Sequence, residues 1–282
     1  MITHRIGAHV SIAKGMTAAL NKAQSMGANC VQIFSSSPRS FGTPNKSDAE
    51  CTQFKTEAQK RDIGPNFIHA TYLINLASPN KDLRQKSIIS LITDLRFAEK
   101  IGSRGSIVHT GSHQGAGFET IVPIVAAAIK EILSNSPTVT KLYLEIASGG
   151  NGKIGSTFEE LATLLEKVNN PRLGVCLDTA HMFAGGYSYS TPQELTKLVK
   201  HISQTIGWGV IECLHTNDSK SKAGSFLDRH ENIGKGEIGK EAFKLLLHDD
   251  HFGKLPFILE VPGIDGKSGP DEANIKILQS LI

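Results

Sequence analysis

The chain has 282 residues, which is close to the length of one α/β barrel of about 250 residues. Hydrophobic residues make up 39% of the chain and charged residues 20%, a balance typical of a globular protein that excludes a disordered one. The formal net charge of +3 excludes a strongly basic nucleic-acid coat protein. A protein with this net charge can still have a local cationic surface that binds phosphates.

Neither the N-terminus nor any later segment has the apolar run of a signal peptide or of a membrane span, which needs roughly 20 residues. Three of the four cysteines (Cys30, Cys176 and Cys213) lie in apolar runs, and no pair has C-x-x-C spacing. We therefore expect buried free thiols, no membrane partner and a cytoplasmic location.

Short apolar segments rich in β-branched residues recur along the chain and are predicted strands. In chain order they are 5–12, 30–36, 66–70, 106–112, 142–148, 173–181, 210–218 and 256–262. Helical periodicity fills the intervals, for example in 16–27 and 158–170. Apolar strands that alternate with amphipathic helices indicate a parallel sheet covered by helices. Since no linker interrupts the pattern, we predict a single (β/α)8 TIM barrel over residues 1–282, with an open doubly wound sheet as the alternative.

Most of the predicted strands contain or end in a side chain that can bind a metal. These residues are His9, His69, His109, Glu145, Asp178, His181, His215 and Glu260. Each alone has an ordinary explanation as a hydrogen-bonded core residue. In a barrel, however, the C-terminal strand ends converge on one rim. Buried carboxylates such as Glu145 and Glu260 must also find a cation, and few Lys or Arg residues lie in these strands. The pattern predicts a multi-metal site.

The segment "DRHENIGKG" at 228–236 adds two more candidate ligands in a predicted loop. Asp228 and His230 are two residues apart, so one cation could contact both. Basic residues surround them, namely Lys220, Lys222, Arg229 and Lys235. Imidazole and carboxylate ligands without thiolate suit zinc or manganese. The candidate ligands are too many for one tetrahedral ion, which indicates several ions. Clustered ions can activate water and neutralise a phosphodiester at the same time.

Two loops on the same predicted rim present side chains that suit contact with nucleic acid. The segment 35–42 presents Arg39 and Phe41, and the segment 70–79 places Tyr72 and Leu73 directly after His69. Aromatic and aliphatic side chains beside a basic residue can insert into a base stack. A plain polar turn is the alternative interpretation of 35–42.

Four stretches together resemble the endonuclease IV family, the zinc-dependent apurinic/apyrimidinic endonucleases of DNA repair. They are "HATYLINLASP", "LEIASGGNGKIGSTFEEL", "GVCLDTAHMFAGGY" and "HTNDSKSKAGSFLDRHENIGKGEIG". The resemblance extends from residue 5 to the final helix. It implies a (β/α)8 barrel with three zinc ions, with manganese as an option at one position.

The resemblance also implies a ligand set and two catalytic residues, Glu145 and Glu260. The first ion would be held by His69, His109 and Glu145, and the second by Glu145, Asp178, His215 and Glu260. The third would be held by His181, Asp228 and His230. One departure is visible, because Phe41 stands where some relatives have Trp.

The activity implied is hydrolysis of the phosphodiester 5′ to an abasic site, which leaves a 3′-hydroxyl and a 5′-deoxyribose phosphate. Removal of blocked 3′ ends is implied as well. The partner would be double-stranded DNA, bound by a monomer in the cytoplasm or at the nucleoid. Lys220, Lys222, Arg229 and Lys235 would contact the backbone, while Arg39, Tyr72 and Leu73 would enter the duplex at the lesion.

Two rival functions stay open. A metal-dependent sugar isomerase or epimerase on the same barrel would use Glu145, Asp178, His215 and Glu260 around one or two ions, and would not require the other ligands. A non-catalytic zinc and DNA-binding protein would keep the ligands and lack turnover. Metal stoichiometry separates the first rival, and an incision assay separates the second.

Overall fold

The computed structural model of the protein describes residues 4–266 and 269–282. Within these residues the strands are β1 (Arg5–His9), β2 (Val31–Phe34), β3 (Asn66–His69), β4 (Gly105–Val108), β5 (Lys141–Glu145), β6 (Leu173–Asp178), β7 (Ile211–His215), β8 (Asp218–Ser219), β9 (His230–Glu231) and β10 (Pro256–Leu259). Strands β1 to β7 and β10 form a closed barrel in which every paired neighbour is parallel, and β10 lies between β7 and β1. The predicted (β/α)8 TIM barrel is confirmed, and the open sheet is wrong.

Helices follow the barrel strands and cover the outside. They are α1 (Met16–Ser25), α2 (Asp48–Lys60), α3 (Lys81–Ile101), α4 (Phe118–Ser134), α5 (Phe158–Val168), α6 (Thr179–Ala184), α7 (Pro192–Thr205), α8 (Lys240–His248) and α9 (Glu272–Gln279). Short 3-10 turns cover Trp208–Val210 and Phe252–Lys254. The predicted helices at 16–27 and 158–170 are confirmed, and each ends about two residues early. None of the helices in the described ranges is long and apolar enough to cross a membrane.

Local sequence signals explain where several helices begin. Ser47 accepts a hydrogen bond from the Glu50 backbone N–H while the Glu50 carboxylate accepts one from the Ser47 backbone N–H, so α2 starts with a capping box. Thr191 and Glu194 do the same for α7, whose first residue, Pro192, has a φ angle suited to a helix start. Such caps each contribute about 1 kcal/mol to helix stability.

The strands are shorter than predicted, because the apolar runs continue past the last barrel hydrogen bond into the loops of the rim. One assignment within these runs is wrong. His181 was placed in the sixth strand, but it lies in α6. Strand β6 ends at Asp178, whose Oδ1 accepts the His181 backbone N–H at 2.8 Å and thereby starts α6.

The segment 228–236 is also more regular than the predicted loop. His230 and Glu231 form β9, which pairs antiparallel with Asp218 and Ser219 of β8. This pairing turns the segment back over the C-terminal mouth of the barrel.

Two layers of side chains stabilise the fold. The larger core lies between barrel and helices, and a smaller cluster comprises Cys30, Phe67, Ile107, Tyr143, Cys176, Cys213 and Ile258. All four cysteines are buried and free, as predicted. The smaller cluster is almost wholly apolar, and the candidate metal ligands of the strands lie at or just beyond their C-terminal ends.

Candidate metal centre

The strand ends and the loops after them place all the candidate ligands around one cavity. Glu145, Asp178, His69 and His215 are the last residues of β5, β6, β3 and β7. His109 and Glu260 directly follow β4 and β10, His181 lies in α6, and Asp228 and His230 lie before and in β9. The cavity has a volume of about 1140 Å³. It is lined by loops of the rim and by six of the ligands, namely His69, His109, His181, Asp228, His230 and Glu260. Glu145, Asp178 and His215 are fully buried beside them.

The first group consists of His69, His109 and Glu145. Its ligand atoms all lie within 4.8 Å of one another. Glu145 Oε2 is 3.3 Å from His69 Nε2 and 3.4 Å from His109 Nε2. Since Glu145 is fully buried, its charge needs a partner inside the cavity.

The second group shares Glu145 with the first. Glu145, Asp178, His215 and Glu260 also meet within 4.8 Å. His215 Nδ1 lies 3.1 Å from Glu145 Oε1, 3.4 Å from Glu260 Oε2 and 4.0 Å from Asp178 Oδ2. A carboxylate shared by two groups can bridge two ions.

The third group is centred on His181 and His230. The ligand atoms of these two residues and of Asp178 lie within 4.8 Å of one another. Asp228 Oδ1 lies 3.1 Å from His181 Nε2 and 3.4 Å from His230 Nε2. Both Nε2 atoms are buried and lack a hydrogen-bond partner among the described residues. Because unpaired buried polar atoms are costly, two of them directed at one carboxylate fit a cation that all three would share.

Backbone carbonyls fix the orientation of three of the histidine rings. The Nδ1 atoms of His69, His181 and His230 lie 2.7, 3.0 and 3.4 Å from the carbonyl oxygens of Ala70, Ile146 and Glu260. A carbonyl oxygen can only accept, so each Nδ1 donates. The proton is thereby held on Nδ1, and the Nε2 lone pair stays available for a metal.

The charge balance of the cavity also favours cations. Among the described residues, the ion-pair partners of Glu145, Asp178 and Glu260 are all histidines. Burial acts against the charged form, yet the neighbouring carboxylates outweigh it and raise the pKa values of His181 and His215 well above the usual range. Excess negative charge at a water-poor site is what divalent cations neutralise.

His109 has the opposite shift. Loss of hydration inside the cavity lowers the pKa of His109 to about 4, and Glu145 only partly offsets this. The effect of burial dominates although 35% of the side chain is exposed. A neutral imidazole is the form that binds a metal.

Cys176, Cys213 and His215 form a fourth group with suitable spacing. Burial raises the pKa of Cys176 well above its usual range, so the thiol stays protonated. Because a thiolate rather than a thiol binds metals, this group is a poor site. The imidazole and carboxylate groups above it are the better candidates.

The two predicted recognition loops are joined to each other at the rim. Tyr72 N and Thr71 Oγ1 donate to Pro38 O at 3.1 and 2.8 Å. Arg39 and Tyr72 line the cavity. Tyr72 is 61% exposed and Leu73 is 40% exposed, which is unusual for large apolar side chains.

The remaining predicted contacts lie at different depths. Lys220, Lys222, Arg229 and Lys235 are exposed, and Lys220 Nζ lies 3.6 Å from Glu231 Oε2. Phe41 is partly buried and packs against the hydrophobic core, whereas an exposed rim position was predicted. Its ring follows a turn that folds back, because Ser36 Oγ donates to the Gly42 carbonyl at 3.0 Å.

Sequence reasoning missed several residues that hold the ligands. Asn217 Nδ2 donates to Asp178 Oδ2 and its Oδ1 accepts the Glu260 backbone N–H, both at 2.8 Å. Gln32, fully buried in β2, contacts His215 and Glu260. A polar residue inside the apolar run "CVQIF" is the signal that would have identified it.

Comparisons with known proteins show first which barrel superfamily and then which family the chain resembles. A family model described as xylose isomerase-like TIM barrel matches residues 20–281. A protein of Natronomonas pharaonis described as probable endonuclease 4 is 39% identical over 277 residues, which cover 98% of each chain. The crystal structure of endonuclease IV from Thermus thermophilus matches with a TM-score of 0.85 and 31% identity, over 98% of each chain.

The chain therefore belongs to the endonuclease IV family of xylose isomerase-like TIM barrels. A D-tagatose 3-epimerase-like protein has the same fold, with a TM-score of 0.73 over 98% of this chain and 96% of its own. At 20% identity that likeness concerns the fold alone.

Proposed function

We propose that this protein is a zinc-dependent apurinic/apyrimidinic endonuclease of DNA repair, with residues 1–282 as one catalytic domain. It would hydrolyse the phosphodiester 5′ to an abasic site and leave a 3′-hydroxyl and a 5′-deoxyribose phosphate. The observation that supports this most is the overlap of three ligand groups in one cavity, two of which share Glu145. Similarity to endonuclease IV proteins over nearly the whole chain gives independent support.

The residues present fit three divalent ions. His69, His109 and Glu145 would hold the first ion. Glu145, Asp178, His215 and Glu260 would hold the second, and His181, Asp228 and His230 the third. The unpaired Nε2 atoms of His181 and His230 support the third assignment. Zinc suits these ligands, and manganese is an alternative at one position. When bound, clustered ions activate water and neutralise a phosphodiester.

The rim would bind duplex DNA. Lys220, Lys222, Arg229 and Lys235 would contact phosphates, which fixes the position of the duplex without reading a base. Arg39, Tyr72 and Leu73 would fill the space left by an extruded abasic nucleotide. Extrusion is cheapest where no base has to be unpaired. A cavity that binds the sugar and phosphate would also accept blocked 3′ ends, so 3′-phosphatase or phosphodiesterase activity is part of the proposal.

A sugar epimerase accounts for fewer of these residues. One or two ions in the second group would serve such an enzyme. The buried third group around His181, together with the exposed Tyr72 and Leu73, would then have no role. A substrate that needs both a third ion and a large rim explains them better.

Incision of a duplex with one synthetic abasic site tests the function. The purified protein should nick the strand 5′ to the lesion, and the matched undamaged duplex should stay intact. A chelator should abolish the nick, and added zinc should restore it. Ends that carry an unsaturated 3′ sugar would indicate a lyase and contradict the proposal, as would no incision by protein with full metal content.

A further inference from the structure

Gln32 is a buried amide at the base of the metal cavity that contacts three ionisable side chains. Its Nε2 lies 2.5 Å from Glu260 Oε1 and 2.9 Å from His9 Nδ1. Its Oε1 lies 2.7 Å from His215 Nε2. The residue is fully buried in β2, where a polar side chain is costly unless all its groups are paired.

Chemistry fixes the orientation of this amide. A carboxylate only accepts hydrogen bonds, so the atom beside Glu260 must be the amide nitrogen. The amide oxygen then faces His215 Nε2, which must carry a proton. His215 Nδ1 is left facing Glu145 and Glu260, on the side of the second ligand group.

The second amide hydrogen fixes His9 in the same way. It points to His9 Nδ1, which must accept and therefore carries no proton. A proton on that atom could be directed at Glu260 Oε1, 3.3 Å away. It would then also face the hydrogens of the Gln32 amide nitrogen, which lies 2.9 Å from Nδ1. Because an imidazole ring carries at least one proton, an accepting Nδ1 leaves the proton of His9 on Nε2. That atom is buried without a hydrogen-bond partner in the described residues, and His9 lines the metal cavity.

We propose that Gln32 is a positioning residue whose hydrogen bonds select the tautomers of two histidines at once. It holds His215 with Nδ1 free for the second ion, and it leaves His9 as an Nε2–H donor at the cavity. The carboxylate of Glu260 is held by the same amide. The inference rests on the metal-binding part of the proposed function, and it gives Gln32 and His9 roles outside the ligand set.

The direct test is nitrogen NMR of protein labelled with 15N histidine and loaded with zinc. The spectra should show His9 protonated at Nε2, and His215 protonated at Nε2 with a metal-shifted Nδ1. His9→Phe and His215→Ala samples assign the two signals. A proton on Nδ1 of either ring would overturn the proposal, and this result needs no Gln32 variant to fold.

The second test is zinc affinity by chelator competition in Gln32→Leu and Gln32→Glu. Gln32→Leu should lower the affinity for one of the three ions by about 10- to 100-fold, as is usual when a hydrogen-bond partner of a metal ligand is lost. Gln32→Glu keeps an acceptor for His215 but loses the donor, so it should restore part of that affinity. Gln85→Leu, an exposed glutamine on α3, is the matched control and should change nothing.

The outcomes separate this inference from the proposed function. Wild-type protein that binds no zinc, or binds it without incising abasic duplex, contradicts the function. A different outcome contradicts only the role of Gln32. In that outcome the wild-type protein binds three ions and incises, and both Gln32 variants equal it in affinity for every ion and in the His9 and His215 signals. If Gln32→Leu does not fold, the wild-type spectra and Gln32→Glu decide.

Discussion

Glu145 is fully buried, Glu260 is partly buried, and histidines surround both carboxylates. The surrounding histidines lower the pKa of both carboxyl groups well below the usual range in spite of burial. Both carboxyl groups are therefore ionised near neutral pH. Ionised carboxylates beside imidazoles that release their protons when an ion binds form a site suited to a divalent ion.

Replacing Glu260 with Gln should therefore separate chemistry from binding. Glu260→Gln preserves the side-chain shape and removes one charge from the second ligand group, so incision should fall by orders of magnitude. Binding of abasic duplex should change little, because phosphate contacts come from the rim. Incision kinetics and fluorescence anisotropy measure the two effects. A near wild-type rate would show that Glu260 has no role in catalysis.

Asp94 is a buried carboxyl group outside the metal cavity, and its ionisation should make the stability of the protein depend on pH. It lies in α3, and Ser35 Oγ donates to its Oδ1 at 2.5 Å. Burial raises the pKa of Asp94 to about 7, which Ser35 only partly offsets. The unfolded chain loses this proton near pH 3.9, so between those values the folded state holds more protons and stability falls as pH rises.

Asp94→Asn should remove that dependence, because the amide cannot ionise and still offers an oxygen to Ser35. Relative to the variant, the wild-type free energy of unfolding should fall by about 1.4 kcal/mol per pH unit between roughly pH 4 and 7. Urea unfolding of both metal-free proteins across this range measures it. Parallel stability curves would mean that Asp94 titrates at an ordinary pKa.

At the scale of elements, the strands and helices could be predicted because their periodicity is local. The ends of the strands could not, since the apolar runs "GVCLDTAH" and "VIECLHTND" continue into α6 and β8. The nine candidate ligands could be named from the strand pattern and the segment 228–236. Their grouping was implied only by a resemblance, and it depends on the barrel closing β10 against β1 and β7. Gln32 and Asn217 were missed because one buried amide has no periodic signature.

Asp218 connects β8 to the loop that follows His230 and β9. Its carboxylate accepts the backbone N–H groups of Gly234, Gly236 and Ile238 at 2.8, 3.1 and 3.0 Å. Gly236 permits this approach, because a Cβ there would lie 2.5 Å from Asp218 Oδ1. One buried side chain therefore accepts three of the backbone hydrogen bonds that hold the loop after β9.

Asp218→Ala should release this loop and with it the third ion. Three N–H groups would lose their acceptor, that of Ile238 buried and those of Gly234 and Gly236 partly buried. The cost is about 1–3 kcal/mol for each group that water cannot reach. We expect a lower unfolding temperature and about two zinc ions per chain by elemental mass spectrometry. Asp218→Asn, which keeps one acceptor oxygen, should lie between the two proteins. Full zinc content in Asp218→Ala would show that the loop is held by other contacts.

The loop after β3 should read the lesion through Tyr72. The ring lies 5.5 Å from Phe34 and 5.8 Å from His69, centroid to centroid, and is otherwise exposed. Tyr72→Ala should weaken binding to abasic duplex by about 1–3 kcal/mol, the worth of one aromatic stack. Binding to undamaged duplex should change little, and Tyr72→Phe should keep most of the affinity.

The salt dependence of the same titrations gives the control. Tyr72→Ala should leave the slope of log affinity against log salt unchanged, since no charge is lost. Arg229→Ala should flatten it by about one unit. Equal losses on damaged and intact DNA would mean that Tyr72 has only a structural role.

For the whole molecule, the barrel explains why residues from 69 to 260 form one site. Each parallel strand delivers its last side chain to the same rim, and the apolar cluster below it excludes charge from the barrel interior. Composition and net charge predicted none of this, because only a small fraction of the 282 residues take part. The same barrel with fewer ligands would serve one ion.

The number of bound ions tests the account most directly. Protein purified without chelator, and dialysed against metal-free buffer, should contain close to three zinc ions per chain by elemental mass spectrometry, with manganese replacing part of one. His181→Ala, which removes only the third group's central ligand, should contain about two. A reproducible value near one ion per wild-type chain would contradict the three-ion centre and favour an enzyme of the isomerase type.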